Sequence, residues 1–152
     1  MTLEEKIATA QQVRSRDRFG PVSPEELASL PGTETELWVE VADGRKVHVF
    51  EERPEHLPAK AALLLNFHGG GFIMHNIASH DSLCRQLCKV CGCVVVNVGY
   101  RLAPEHPYPA CMEDGYTALQ WVHDNAARWR MDRTRIALAG DSAGANISAV
   151  VS

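Results

Sequence analysis

The chain has 152 residues, and its 45% of hydrophobic and 22% of charged residues are typical of one soluble globular domain. The net charge of −4 argues against the basic surface that a nucleic-acid or acidic-membrane partner requires. No stretch approaches the roughly 18 apolar residues of a membrane span, and the charged N-terminus does not resemble a signal peptide.

The N-terminal region is predicted to contain two helices. Apolar residues recur at helical spacing over residues 3–16, and a short second helix is expected before residue 31. The first helix is predicted to start at a capping box of Thr2 and Glu5 and to be broken at Gly20-Pro21. The second is predicted to start at Ser23-Pro24 and to end at Pro31-Gly32. The charged residues of this region, Arg14 among them, are interpreted as a solvated helix face.

Residues 35–42 and 45–51 alternate apolar and polar side chains on either side of Asp43-Gly44. Two alternating runs around Asp-Gly are a strong signal for a β-hairpin. The sequence therefore predicts an antiparallel pair of strands ahead of the apolar strands that follow.

Three later runs, 61–67, 93–98 and 136–140, are almost continuously apolar, which is typical of strands buried on both faces. Helical patterns lie between them at about 80–91, with Ser79 as its cap, and at about 111–127. Buried strands that alternate with helices predict a three-layer α/β fold with a mostly parallel sheet, to which the hairpin adds an antiparallel edge.

Five cysteines are present, four of them between Cys84 and Cys93. This odd, crowded set does not suit a secreted disulfide framework and favours a cytoplasmic location. Cys84, Cys88 and Cys91 share one helical face, which we interpret as packing against the sheet. A structural zinc site needs a second group of ligands elsewhere, so no metal is expected.

The segment Gly140-Asp141-Ser142-Ala143-Gly144 matches the G-x-S-x-G nucleophile elbow, in which a serine lies on a sharp turn between a buried strand and a helix. The flanking glycines allow close approach of neighbouring chain, and the helix start behind the serine favours negative charge. The alternative is an ordinary glycine-rich turn with a capping serine.

A second glycine-rich segment, His68-Gly69-Gly70-Gly71-Phe72, directly follows the first buried strand. Successive exposed N–H groups at this position are suited to an oxyanion hole. The alternative is a phosphate-binding loop, but neither a following Lys-Ser/Thr nor the G-x-G-x-x-G pattern is present. Both motifs follow parallel strands, where open α/β sheets bind their ligands.

Three segments resemble the hormone-sensitive-lipase-like family of α/β-hydrolases, which comprises carboxylesterases and lipases. They are HGGGF at 68–72, YRLAPEHPYPA at 100–110 and GDSAGAN at 140–146. The resemblance covers most of the chain and implies no metal and no organic cofactor. It also implies that residues 1–33 are part of a helical cap and that residues 34–152 are the N-terminal portion of the catalytic domain.

The resemblance implies a role for each matched position. Ser142 is expected to be the nucleophile, and the N–H groups of Gly70, Gly71 and Ala143 are expected to form the oxyanion hole. The residues expected to support the loop and the elbow are His68, Gly69, Gly140, Asp141 and Gly144. The residues expected to line the substrate pocket or its rim are Phe72, Ile73, Met74 and His75, and polar contacts of the third segment are expected from Arg101 and Glu105.

In this family the acid and the histidine of the triad follow the serine, whereas only ten residues follow Ser142 here. The resemblance therefore implies a fold truncated after the elbow, with both partners supplied from elsewhere. His68, His75, His80 and His106 are the alternative bases within the chain, and structural roles are the simpler interpretation for each of them.

The expected function is hydrolysis of short to medium acyl esters through an acyl-enzyme. A non-catalytic fragment and a small-molecule binding protein on the same scaffold, as in the gibberellin receptors that resemble this family, remain the alternatives. The expected partners are a small ester substrate and either a second copy of the chain or a complementing C-terminal part.

Overall fold

The computed structural model describes residues 1–16, 23–30, 32–40, 44 and 46–152 of the chain. The predicted helix break at Gly20-Pro21, and the turn residues Pro31 and Asp43, lie outside these described residues. Everything below refers to the described part.

Five strands form one sheet in the order β1-β2-β4-β3-β5. Antiparallel pairing joins β1 to β2, which is the predicted hairpin, and also β2 to β4, whereas β3 pairs with β4 and β5 in parallel. The strands are β1 (Gly32–Glu40), β2 (Lys46–Pro54), β3 (Ala61–Phe67), β4 (Val94–Gly99) and β5 (Met131–Gly140). The predicted α/β fold is confirmed, and β3 ends where the glycine-rich segment begins.

Helices cover both faces of this sheet. The main core cluster includes Val96 of β4 with Ala118 and Ile147 from helices on one face, while Cys84 and Val95 belong to a second cluster on the other. Neighbouring residues of one strand thus face different helices, which explains the continuously apolar runs. The helices are α1 (Leu3–Arg14), α2 (Pro24–Ser29), α3 (Asp81–Cys91), α4 (Ala110–Asn125) and α5 (Ala143–Val151), with short 3₁₀ turns at Ile77–His80 and Ala126–Trp129.

Helix starts agree with the sequence in the N-terminal region and differ at α3. Thr2 and Glu5 form the predicted capping box of α1, and Ser23 accepts a hydrogen bond from the Glu26 N–H. The prediction that Ser79 caps the third helix is wrong, because Ser79 lies within the 3₁₀ turn that Asn76 caps. Helix α3 therefore begins at Asp81, directly after His80.

The cysteines of α3 pack largely as expected. Cys84 and Cys88 are buried against the sheet, whereas Cys91 is exposed at the end of the helix. Burial raises the pKa of the Cys84 thiol, and raises that of Cys88 to about 12. Both thiols are therefore neutral at physiological pH, which agrees with a packing role.

Every helix in the described part of the chain is too short or too polar to cross a lipid bilayer.

Candidate active site

Ser142 lies between the end of β5 and the start of α5 in a strained backbone conformation. Its φ is 49° and its ψ is −113°, a region that residues with a Cβ rarely occupy. Ser142 is exposed, whereas Ala143 behind it is buried. The sharp turn thus presents the hydroxyl group to solvent at the carboxyl end of the strand.

The glycines on either side of this serine are needed because the turn runs against the end of β3. A Cβ atom on Gly144 would lie 1.8 Å from the carbonyl oxygen of Phe67. One on Gly140 would lie 2.6 Å from the same oxygen and 2.5 Å from the carbonyl carbon of Gly144. These approaches are far below van der Waals contact, so any larger residue would displace the backbone.

The glycine loop after β3 turns sharply and leaves N–H groups free. Gly70 and Gly71 have φ values of 115° and 61°, and the Gly70 carbonyl accepts hydrogen bonds from the N–H groups of Ile73 and Met74. In the part of the chain that the structure describes, the N–H groups of Gly70, Gly71 and Ala143 donate no hydrogen bond to the backbone. Such N–H groups are the kind that an oxyanion hole requires.

Asp141 connects the elbow to the glycine loop. Its Oδ1 accepts a hydrogen bond of 2.9 Å from the Gly69 N–H and contacts His80 Nε2, also at 2.9 Å. Burial alone would raise the pKa of Asp141, but the hydrogen bond and charge of His80, with smaller contributions from backbone N–H groups, hold it below its usual value. Asp141 is therefore an ionised carboxylate at neutral pH.

His68 is buried beneath this loop and is held in one orientation. Its ring stacks on Tyr100 with centroids 4.3 Å apart, and its Nδ1 lies 2.7 Å from the Gly69 carbonyl oxygen. The Tyr100 hydroxyl donates to the His68 carbonyl at 2.6 Å. Burial lowers the pKa of His68 to about 4, so the ring is neutral at pH 7. Its single proton is on Nδ1, which donates a hydrogen bond to the Gly69 carbonyl.

A serine, a histidine and an aspartate do form a hydrogen-bonded chain, but Ser142 is not its serine. Ser79 Oγ lies 2.9 Å from His80 Nδ1, and His80 Nε2 contacts Asp141. His68 Nδ1 is directed to the Gly69 carbonyl oxygen, and the two ring nitrogens of His80 are directed to Ser79 and Asp141. These nitrogens are therefore not presented to Ser142 as the general base that a serine nucleophile needs.

A largely apolar cavity of about 740 Å³ opens beside Ser142. Gly70 and Gly71 line it with Ser142, so the nucleophile candidate and two candidate oxyanion donors share one space. Helix α1 also lines this cavity, through Lys6, Thr9, Ala10 and Val13, of which only Ala10 is buried. This volume lies within the range of about 300–1,000 Å³ that is common for small-molecule sites.

The expected pocket residues divide into two pairs. Ile73 and Met74 line the cavity beside Ser142, whereas Phe72 and His75 are not among its lining residues. Phe72 instead packs against the main core cluster and lines a second cavity with Arg101 and Tyr108. Both Phe72 and His75 have a positive φ, so the backbone of this loop turns sharply at each of them.

Arg14, at the end of α1, fastens this helix to the loops around the cavity. Its Nε donates to the Ile73 carbonyl, one Nη donates to the Ala103 carbonyl, and both Nη atoms contact the Glu105 carboxylate at 2.7 and 2.9 Å. Interpreting Arg14 as part of a solvated face is therefore wrong. The expected polar contacts of Glu105 and Arg101 are present, with Arg101 on Asp114.

Sequence analysis missed a carboxylate cluster on the other face of the sheet. Oxygens of Glu34, Glu52 and Asp81 lie within 4.8 Å of one another, and Arg85 contacts all three residues. Burial, followed by the hydrogen bond with Glu34, raises the pKa of Glu52 to about 9. Glu52 is thus protonated at neutral pH.

Comparison with known proteins connects this geometry to a family. The model of an alpha/beta hydrolase fold family matches residues 64–152. The esterase LipI of Mycobacterium tuberculosis is 50% identical over 93 residues, which cover 61% of this chain and 29% of that protein. The gibberellin receptor GID1A of Arabidopsis thaliana is 48% identical over 92 residues, which cover 57% of this chain and 26% of the receptor.

Solved structures agree with these sequence relatives. The carboxylesterase EstE1, cloned from a metagenomic library, has a TM-score of 0.79 and is 36% identical. The similarity covers 100% of this chain and 49% of EstE1. The chain therefore spans less than half the length of each of these proteins.

Proposed function

The chain belongs to the hormone-sensitive-lipase-like family of α/β-hydrolase carboxylesterases and lipases, and on that premise we propose that Ser142 is the nucleophile of a carboxylic-ester hydrolase. The observation that carries the proposal is the strained conformation of Ser142 beside an apolar cavity that it shares with Gly70 and Gly71. Strain of this kind, about 1–3 kcal/mol, persists where the surrounding structure enforces it, and it is concentrated at functional sites.

The proposed reaction passes through an acyl-enzyme. Ser142 Oγ attacks the ester carbonyl carbon, its proton passes to a general base, and the carbonyl oxygen becomes an alkoxide. The N–H groups of Gly70, Gly71 and Ala143 are proposed to stabilise this charge, and each such donor typically lowers the barrier by about 3 kcal/mol. The alcohol then leaves, and a water molecule releases the acid and restores the serine.

The base and its carboxylate partner are proposed to come from polypeptide outside these 152 residues. His68 is unsuited to the role because its pKa is about 4 and its Nδ1–H donates a hydrogen bond to the Gly69 carbonyl. His80 is turned toward Ser79 and Asp141. Asp141 is proposed to orient the loop, since its Oδ1 accepts the Gly69 N–H rather than a proton from a base beside Ser142.

The proposed substrates are esters with short to medium acyl chains, because the cavity beside Ser142 is apolar and is bounded by α1. Hydrolysis of p-nitrophenyl acetate, butyrate, octanoate and palmitate would be measured with the chain in the presence of a complementing C-terminal part, and with Ser142→Ala under the same conditions. Activity that falls toward palmitate and is lost in Ser142→Ala supports the proposal. A fluorophosphonate probe that fails to label Ser142 in the presence of a complementing C-terminal part contradicts it.

Ligand binding without hydrolysis is the second candidate function, favoured by the 48% identity with a gibberellin receptor. The same apolar cavity would hold a small carboxylic acid, and Ser142 would serve only as a hydrogen-bonding group. Calorimetric titration with a non-hydrolysable carboxylate distinguishes the two. Tight binding to both wild type and Ser142→Ala, with no turnover of any ester, favours the binding function.

A further inference from the structure

His80 has a hydrogen-bond partner at both of its ring nitrogens. Its Nε2 lies 2.9 Å from Asp141 Oδ1 and its Nδ1 lies 2.9 Å from Ser79 Oγ. The His80 side chain is 15% exposed, whereas that of Asp141 is 59% exposed. The positions of the hydrogen atoms can be deduced from the partners.

Each partner of His80 acts as an acceptor. Asp141 is a carboxylate and has no proton to give, so Nε2 must carry one. Ser79 Oγ lies 2.6 Å from the Asn76 carbonyl oxygen, which can only accept, so the single hydroxyl proton of Ser79 points to Asn76. The hydroxyl oxygen then accepts from His80 Nδ1, which must also be protonated. A ring with both nitrogens protonated is an imidazolium cation.

Among the residues that the structure describes, Asp141 is the group of opposite charge in contact with this ring. Asp141 at the elbow accepts from it, while Asp81, the next residue in α3, directs its carboxylate to Arg85. The rings of His68 and His75 lie with their centroids 5.9 and 6.3 Å from that of His80. The positive charge of His80 adds to the burial that keeps His68 neutral. His80 and Asp141 therefore form the ion pair of this region.

We propose that His80 is a positively charged positioning residue, which holds Asp141 in place so that Asp141 fixes the glycine loop against the elbow. One oxygen, Asp141 Oδ1, accepts from both His80 and the Gly69 N–H. Gly69 immediately precedes Gly70, and Asp141 immediately precedes Ser142, so the ion pair sets the distance between the candidate oxyanion donors and the candidate nucleophile. The catalytic consequence rests on the proposed function, whereas the charge of His80 and the hold on the loop do not.

The charge state is tested on the unmodified chain by long-range ¹H–¹⁵N NMR of the histidine side chains at pH 7. We expect both ring nitrogens of His80 to have the chemical shifts of protonated imidazolium nitrogens. A neutral ring with one unprotonated nitrogen overturns the proposal. His68 provides the internal reference for a neutral ring with a protonated Nδ1.

The hold on the loop is tested by amide exchange of Gly69 in His80→Ala and His80→Gln, with His123→Gln on the exposed face of α4 as the control. Loss of a charge-assisted hydrogen bond should accelerate Gly69 exchange about tenfold or more in His80→Ala. A smaller change is expected in His80→Gln, whose amide can still donate to Asp141. Equal exchange in His80→Ala and wild type overturns the positioning role.

Catalysis supplies a separate readout. With a complementing C-terminal part, His80→Gln should lower kcat about tenfold with little change in KM, because only the hold on the oxyanion donors weakens. Unchanged kcat in His80→Gln, together with an active wild type, contradicts the catalytic consequence. An inactive wild type would instead refute the proposed function, and the NMR and exchange results would still decide the charge and the hold.

Discussion

The N–H group of Gly69 donates a 2.9 Å hydrogen bond to Asp141 Oδ1, which joins the loop after β3 to the turn after β5. The two residues are 72 positions apart in the chain. A Cβ on Gly69 would lie 2.1 Å from the other oxygen of this carboxylate, so a larger residue would displace the carboxylate from this contact. The two glycine-rich motifs therefore form one structural unit.

The close approach of Gly144 to β3 leads to the first prediction. Gly144→Ala should lower the free energy of unfolding by about 3 kcal/mol, because its Cβ would overlap the Phe67 carbonyl oxygen and the backbone must move. Urea denaturation measures the change. Gly92→Ala is the matched control, since Gly92 has a φ of 59° but no atom within 4 Å of an added Cβ, and it should cost about 1 kcal/mol. Equal losses in the two variants would contradict the steric explanation.

Strain at Ser142 leads to the second prediction, in which stability and activity change in opposite directions. Ser142→Gly should raise the free energy of unfolding by about 1 kcal/mol, because glycine adopts a φ of 49° without a Cβ clash. Ser142→Ala keeps the Cβ and should be close to wild type in stability. Both variants should lose fluorophosphonate labelling. A Ser142→Gly variant no more stable than Ser142→Ala would refute the strain.

The Arg14 contacts lead to the third prediction. Arg14→Ala should accelerate amide exchange throughout α1 and lower stability by about 1–2 kcal/mol, because four hydrogen bonds to the loops are lost while water partly replaces them. Arg14→Lys should recover only part of this, since lysine lacks the planar fork. Arg16→Ala, at an exposed position two residues further, is the control. Unchanged exchange in Arg14→Ala would show that packing alone holds the helix.

Glu52 leads to the fourth prediction, a dependence of stability on pH. Its folded pKa of about 9 exceeds the ordinary value of 4.5, so the folded state binds the proton more tightly than the unfolded state. The stabilisation is complete below about pH 4.5 and is lost as the pH rises toward 9, with a slope of at most about 1.4 kcal/mol per pH unit.

Urea denaturation between pH 7 and 8 reduces the contribution of other groups, because His68 is already neutral in the folded state and an unfolded thiol ionises mainly above about pH 8. Glu52→Gln should flatten the pH dependence, since the amide has no proton to lose. Glu40→Gln, at an exposed position of β1, should leave it unchanged. An equally steep decline in wild type and Glu52→Gln would exclude Glu52 as its origin.

Much of the fold could be predicted from the sequence because its elements are encoded locally. The strand predicted over 61–67 is observed at the same residues, and the helix after the elbow begins at Ala143 as expected. Ser79 was misassigned because it is also a good helix cap, and nothing local indicates that the preceding Asn76 caps a 3₁₀ turn instead.

Some of the site residues can likewise be recognised from the sequence, and others cannot. The glycines at 69–71, 140 and 144 are recognisable because a tight turn or close backbone approach requires glycine whatever the surroundings. The backbone conformations of Phe72 and His75 could not be recognised from the sequence, because those residue types rarely adopt the positive φ values that are observed there.

The sequence alone determined where the strands, the glycine loop and the elbow lie along the chain, because apolar periodicity and glycine spacing are properties of short segments. Only the tertiary structure decided which distant polar groups meet. Arg14 binds Glu105 across 91 positions, and His80 binds Asp141 across 61. Such pairs depend on how helices and loops pack against the sheet, and the same charged side chains would fit a solvated surface equally well in the sequence.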